Sequence, residues 1–238
     1  MQKNLRKARL AGLLTKTAAS LCLIFAAPLV SASTALNFHV WLDDRQVGTH
    51  QVRIDQQGST LKVQTDVKMR IRALFIDLFN YQHTAYEEWS GNCLQRLTSE
   101  TKSNSKRFSV DKRPTTQGTC AATFAYWDLN KMRAQTELLN SQTGEAVAVD
   151  LVPLGPRALP SIGRQADADD QADAIPAQAY LLKNELGDIT LWYSQDQRWL
   201  ALETETRGRT LTYLSDAVLN KVATSTQPFA KALSLAQK

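Results

Sequence analysis

The stretch LKVQTDVKMRIRA, residues 61–73, decides the fold class of this chain. Apolar or small side chains occupy every second position, namely Leu61, Val63, Thr65, Val67, Met69, Ile71 and Ala73. Successive side chains of a β-strand point to opposite faces, so this pattern predicts a strand with one buried and one solvated face. A strand that is wet on one side is typical of an antiparallel sheet.

Further strands are predicted on both sides of this segment. Residues 38–42 and 48–54 alternate in the same way, and short turns rich in Gly, Asn and Asp separate the later candidates. Those candidates are residues 81–89, 94–101, 108–111, 119–126, 146–152, 177–183, 189–194, 199–206 and 210–214. We therefore predict an all-β fold, a single antiparallel meander that forms a strongly curved sheet or an open β-barrel.

Little helix is expected. Leu129, Met132 and Leu139 fit at most one short helix, and residues 216–238 form a C-terminal tail with a weak helical pattern. Residues 153–176 carry four prolines and an acidic cluster, which predicts a long loop. The cluster lacks the order of an EF-hand, so we interpret it as solvated and predict no metal there.

The first 32 residues have the pattern of a cleaved signal peptide. Basic residues precede an apolar run at residues 21–30, and Val30-Ser31-Ala32 supplies small residues for cleavage. The run is shorter than the ~20 residues that span a bilayer. We expect a periplasmic or secreted β-domain at residues 33–215, with no transmembrane span after cleavage.

The charge of the mature chain argues against a nucleic-acid partner. The sequence holds 28 basic and 23 acidic residues, and five of the basic ones lie in the leader. The mature domain is therefore neutral, and it has no basic stripe interleaved with aromatic residues.

Two cysteines remain after the leader, Cys93 and Cys120. In an oxidising compartment such a pair is normally bridged, so we predict a disulfide between them. Two buried free thiols, or a metal pair with histidine, are the alternatives. Neither cysteine lies in a C-x-x-C motif or at zinc-finger spacing.

A candidate polar cluster consists of His50, His83 and Glu87. In the segment HTAYEEW, residues 83–89, period two places His83 and Glu87 on one face, and His50 lies on the buried side of its own strand. These residue types suit a metal site or a proton-transfer network. The alternative, which we favour, is a buried network in which Glu87 fixes a histidine tautomer.

We predict no catalytic residue and no cofactor. The sequence contains none of the motifs G-x-S-x-G, H-E-x-x-H and C-x-x-C, and no glycine loop for phosphate.

The aromatic residues allow two interpretations. Most aromatics fill a core, but in a sheet that does not close tightly they would line a cleft for an apolar ligand. The candidate lining residues are Trp41, Tyr81, Trp89, Trp127, Trp192 and Trp199.

Five segments carry a resemblance to a known family. They are WLDDRQVGTHQV (41–52), YQHTAYEEW (81–89), FAYWD (124–128), LLNSQTGE (138–145) and LWYSQDQRWLALE (191–203). In this order and spacing they resemble a group of exported proteobacterial proteins catalogued as a domain of unknown function, over residues 38–214. The resemblance implies one secreted β-domain, and it implies no particular activity. Asp43-Asp44 departs from the Asp-Gly turn expected after the first strand.

Three functions follow from these patterns. The first is a non-catalytic periplasmic module that binds an apolar molecule, such as a lipid, in the concave face. The alternative is a structural or assembly partner of envelope proteins, contacted through an exposed edge strand or the tail. The second alternative is a hydrolase-like enzyme that uses His50, His83 and Glu87. An apolar cavity would favour ligand binding, and an exposed apolar patch would favour an assembly role. Convergent polar residues in a cleft would favour an enzyme.

Overall fold

The computed structural model describes residues 31–73, 76–114, 120–162 and 176–221. Residues 1–30 of the predicted signal peptide, the acidic cluster of the loop and residues 222–238 of the tail lie outside the described residues. Signal cleavage and the solvated acidic loop therefore stay predictions.

Twelve strands within the described residues form one antiparallel sheet. They are β1 Ser31–Leu42, β2 Arg45–Gln57, β3 Thr60–Ala73, β4 Ile76–Ser90, β5 Cys93–Ser103, β6 Lys106–Lys112, β7 Glu137–Leu139, β8 Ala146–Pro156, β9 Gln178–Asn184, β10 Ile189–Tyr193, β11 Trp199–Thr206 and β12 Arg209–Ser215. Their spatial order is β6-β5-β4-β3-β2-β1-β12-β11-β10-β9-β8-β7. The first and last strands thus meet in the middle of the sheet, while β6 and β7 are its two edges. The prediction of an all-β, antiparallel and open fold is confirmed.

The alternating pattern that predicted β3 also sets its register. β3 pairs with β4 so that Val67 lies opposite His83 and Val63 opposite Glu87. All four side chains are buried, and the flanking Lys62 and Lys68 are exposed. Because alternate residues face opposite sides, the sheet has a continuous inner face over these strands.

Residues 120–128, here called the inner segment, run along the concave side of the sheet. The predicted strand over residues 119–126 is wrong, since residues 120–126 contain one isolated bridge, from Thr123 to Leu139. The Ala121 and Ala122 carbonyls instead accept hydrogen bonds from Leu94 and Leu139. The apolar pattern of this segment reflects burial under the sheet, where its backbone bonds to strand ends.

A disulfide and a short helix fix the two ends of the inner segment. Cys93, the first residue of β5, is bonded to Cys120, with the Cα atoms 4.7 Å apart. Helix α1, Leu129–Arg133, follows the segment, and the Asp128 side chain caps it by accepting from the Asn130 amide at 3.1 Å. The short helix was predicted through Leu129 and Met132, but Leu139 lies in β7.

The main core lies between the inner face of the sheet and the inner segment, and it includes Phe38, Trp89, Leu97 and Trp199. A second cluster lies on the opposite face, around Trp192, Ala201, Leu214 and Val218. Residues 216–221 are helical and supply Val218, so the first part of the tail covers this outer cluster. Within the described parts of the chain, no helix is long and apolar enough to cross a membrane.

Candidate functional site

The concave face of the sheet lines a half-open cavity of about 460 Å³. One wall comes from β2, β3 and β4, the other from β11 and β12, and the inner segment forms the floor. The apolar and aromatic lining residues include Val52, Val67, Met69, Phe79, Tyr81, Phe124, Tyr126, Trp127, Trp199, Leu202, Leu211 and Tyr213. Leu186, in the β9–β10 turn, is exposed and marks the mouth.

Three of the six predicted aromatic residues line this cavity: Tyr81, Trp127 and Trp199. The other three lie elsewhere. Trp41 is on the outer face because its neighbours in β1, Val40 and Leu42, point inward.

The remaining two tryptophans belong to packed regions. Trp89 is completely buried in the main core, where its ring meets Trp127 edge-on at 5.8 Å. Trp192 belongs to the outer cluster, and its Nε1 donates to the Ala158 carbonyl at 2.9 Å. Trp89 thus supports the cavity floor from below, and Trp192 takes no part in the cavity.

His50 lines the cavity in the middle of β2. Its side chain is 7% exposed and packs edge-on against Trp199 and Tyr213, with ring centroids 5.4 and 5.8 Å away. Burial, with a smaller contribution from the neighbouring His83, lowers the pKa of His50 to about 3. The imidazole is therefore neutral near pH 7. Its Nε2 has no hydrogen-bond partner among the described residues.

His83 joins two strands to a distant turn. Its Nδ1 lies 2.7 Å from Thr101 Oγ1 in β5, and its Nε2 lies 3.1 Å from Ser141 Oγ in the β7–β8 turn. Burial lowers the pKa of His83 to about 4. A neutral imidazole donates through one nitrogen and accepts through the other, so these two hydroxyls satisfy both nitrogens.

Glu87 bonds to a tryptophan and not to a histidine. Its Oε2 accepts a hydrogen bond from Trp89 Nε1 at 2.9 Å. Burial raises the pKa of the Glu87 carboxyl, and the Thr123 hydroxyl, the Trp89 donor and the charge of Lys131 oppose that rise. The hypothesis that Glu87 fixes a histidine tautomer therefore does not match the observed contacts.

His50, His83 and Glu87 thus line one cavity without forming a bonded trio. The described residues contain no group of three or more His, Cys, Asp or Glu side chains that could hold a metal ion. What the arrangement offers is a mainly apolar space with isolated polar atoms on its wall.

Lys131 is a buried cation that sequence patterns did not indicate. It is 2% exposed, and its Nζ donates to the Gly91 carbonyl at 2.8 Å. The same nitrogen lies 4.8 Å from the ring centre of Trp89 and 5.4 Å from that of Trp127. This cation–π arrangement anchors α1 beneath the cavity floor.

The β7–β8 turn reaches across the opening between the two sheet edges. Besides the Ser141–His83 contact, Ser99 Oγ donates to the Ser141 carbonyl and Tyr81 Oη donates to Gln142 Oε1 at 3.1 Å. Gly144 lies against β6 with a φ of +75°, and a Cβ there would sit 3.1 Å from Val110 Cγ1. The segment LLNSQTGE, prominent in the sequence, therefore holds β8 against β4–β6.

Comparisons with known proteins give a family and one similar structure. A family model described as a domain of unknown function, DUF6134, matches residues 38–215. A solved structure described as a beta-barrel-like protein of domain of unknown function DUF1849, from Brucella abortus, is 11% identical with a TM-score of 0.49. That similarity covers 79% of this chain and 96% of the other. No curated protein matches the chain.

Proposed function

The chain belongs to the DUF6134 family, and we propose that it is a non-catalytic, exported binding protein for a small apolar molecule such as a lipid. The observation that carries this proposal is the cavity of about 460 Å³ in the concave face. Ligand pockets typically measure ~300–1,000 Å³ and combine apolar walls with a few polar groups. This cavity has both properties.

Aromatic residues that pack against one another form part of the cavity wall, which favours a preformed site. Trp199 packs against Phe38 in a tilted arrangement with the ring centres 3.8 Å apart, and its Nε1 donates to the Ala201 carbonyl at 2.9 Å. Tyr126 packs against Trp199 from the inner segment, at 5.5 Å. A preformed apolar site loses little conformational entropy when a ligand enters.

The contacts of His83 favour a structural role over hydrolysis. Ser141 and His83 have the separation of a nucleophile and its base, but the other imidazole nitrogen is held by the neutral Thr101 hydroxyl. With its pKa lowered to about 4, His83 is a weak base at neutral pH. The Ser141–His83 hydrogen bond therefore has a structural role, because it connects the β7–β8 turn to β4.

An assembly role has less support than ligand binding. Leu78, Tyr86 and Leu186 are the large apolar side chains that are more than half exposed in the described ranges, and Leu78 and Tyr86 lie eight positions apart in β4. Scattered residues of this kind do not form a docking patch. The edge strand β6 carries Lys106, Arg107 and Lys112, and such charges disfavour strand addition.

A cavity-filling substitution tests the proposal. Val67→Phe adds a ring to the buried inner face of β3, whereas Lys68→Phe adds the same ring to the exposed outer face one residue later. The neutral dye N-phenyl-1-naphthylamine should bind wild type and the Lys68→Phe variant with enhanced fluorescence. Val67→Phe should weaken dye binding at least about tenfold, which corresponds to ~1.4 kcal/mol.

Native mass spectrometry of protein purified from the periplasm gives the second measurement. We expect a co-purified small molecule on wild type and on Lys68→Phe, and less of it on Val67→Phe. Equal dye binding by all three folded proteins would refute the assignment of the ligand to the cavity.

A further inference from the structure

We propose that the cavity selects apolar molecules with an uncharged polar end, and that Nε2 of His50 is the hydrogen-bond partner of that end. This inference rests on the proposed function and specifies its ligand class. The ligand would be a neutral amphiphile, with a hydroxyl or carbonyl group at the end of an apolar body.

The first argument is the unsatisfied nitrogen of His50. A buried polar atom without a partner costs free energy, and native proteins pair the great majority of such atoms. His50 Nε2 is buried, lies in a residue that lines the cavity, and has no partner in the part of the chain that the structure describes. The imidazole of His83, in contrast, is bonded at both nitrogens. A ligand in the cavity can satisfy the nitrogen of His50, and that gain favours a polar ligand end.

The second argument is the charge of the lining. Neither lysine nor arginine occurs among the described residues that line the cavity, while two carboxylates, Glu87 and Glu205, do. Burial keeps the His50 imidazole neutral. A carboxylate or phosphate would enter this site without a cation, and a buried charge that is unpaired is strongly unfavourable.

A ligand with a cationic end would find no unpaired carboxylate in the deep part of the cavity. Glu87 already accepts a hydrogen bond from Trp89 and lies in the field of Lys131. Glu205 is exposed near the end of β11, away from His50. The deep part of the cavity therefore matches an uncharged group better than either ion.

The position of His50 also gives the direction and length of the ligand. Val67 pairs with His50, and from there the inner positions Met69 and Ile71 of β3 continue along the cavity wall. Four residues of strand span ~13 Å. The polar end would lie at His50, and an apolar body of about this length would lie against Met69, Ile71 and Phe79.

Three probes of equal chain length test the selection: 1-decanol, decanoate and decyltrimethylammonium, each competing with N-phenyl-1-naphthylamine at pH 7.5. We expect decanol to displace the dye from wild type at a concentration at least about tenfold lower than either ion. Preference for decanoate or for the ammonium would overturn the inference, while dye binding itself would still support an apolar cavity. Absence of dye binding to wild type would count against both proposals.

Variants of His50 test the partner. In His50→Leu the affinity for decanol should fall about tenfold while the affinity for the dye is retained, because the hydrogen bond is lost and the apolar wall remains. His50→Gln keeps a donor and an acceptor and should lose less. His39→Leu is the matched control, since His39 lies outside the cavity and bonds to Asp216 and Gln46.

Unchanged decanol affinity in folded His50→Leu would refute the role of His50. If that variant fails to fold, the comparison of His50→Gln with His39→Leu and the probe series on wild type still decide the question.

Discussion

Replacing His83 by alanine should destabilise the fold while apolar binding remains. The substitution removes the imidazole that connects Thr101 in β5 with Ser141 in the β7–β8 turn. His83 is 6% exposed and Thr101 is 3% exposed, so water does not readily replace the lost partner. The β7–β8 turn would keep its hydrogen bonds with Ser99 and Tyr81 but would lose the hydrogen bond between Ser141 and His83.

The magnitude follows from the two hydrogen bonds. Each bond contributes about 1 kcal/mol, and a buried hydroxyl left unpaired adds to the cost, so we expect a loss of about 2–3 kcal/mol in the free energy of unfolding. For a domain of this size 1 kcal/mol corresponds to ~2–4 °C in Tm. The expected decrease in Tm is therefore about 5–10 °C.

Thermal unfolding followed by circular dichroism at pH 7.5 measures this effect. His39→Ala is the control, because His39 is partly exposed and its pair with Asp216 should contribute less than about 1 kcal/mol. N-phenyl-1-naphthylamine should still bind His83→Ala below its Tm. If His83→Ala melts like wild type but no longer binds the dye, His83 is a ligand-binding residue and its structural role is refuted.

Three further predictions concern the disulfide, the acid response and the buried lysine. Thiol labelling without reductant should modify neither Cys93 nor Cys120. The double variant Cys93→Ser, Cys120→Ser should lower the free energy of unfolding by about 3 kcal/mol, because the bridge closes a loop with a sequence separation of 27 residues. His50 has a folded-state pKa of about 3, below the ordinary 6.5, so its contribution to stability is present above pH 6.5 and is lost as the pH falls toward 3. Between pH 7 and pH 4 the urea unfolding midpoint of His50→Leu should therefore fall less than that of wild type. Parallel pH dependences of the two midpoints would contradict this prediction. Lys131→Met should cost about 2–4 kcal/mol because the Gly91 carbonyl and Glu87 lose a buried cation, whereas the exposed control Lys68→Met should melt within a degree or two of wild type.

The inward-facing side chains of the hairpin β3–β4 were predictable because they depend on local alternation. Residues 61–73 fixed which side of β3 is buried, and the same period placed His83 and Glu87 on the inner side of β4. The position of Trp41 was predictable as well, because Val40 and Leu42 flank it and adjacent strand residues cannot face the same side. Its assignment to the ligand cleft ignored that rule.

The partners of the polar residues could not be predicted in the same way. The hydroxyl that meets His83 Nε2 comes from Ser141, 58 residues later, and the cation near Glu87 comes from α1. Such contacts depend on how the inner segment and the β7–β8 turn return across the sheet. The inner segment itself was mistaken for a strand because a short apolar run has the same composition in a buried strand and in buried coil.

The register of the sheet explains why His50, and not His83, keeps an available nitrogen. Phe38, His50, Val67, His83 and Thr101 lie on one row of paired residues across β1–β5. His83 has a hydroxyl beside it on that row, since Thr101 Oγ1 lies 2.7 Å from its Nδ1. The neighbours of His50 on the row are Phe38 and Val67, whose side chains cannot form a hydrogen bond, and its ring contacts Phe38 and Trp199. His50 Nε2 therefore stays available to the cavity, which is why we assign the polar end of the ligand to it.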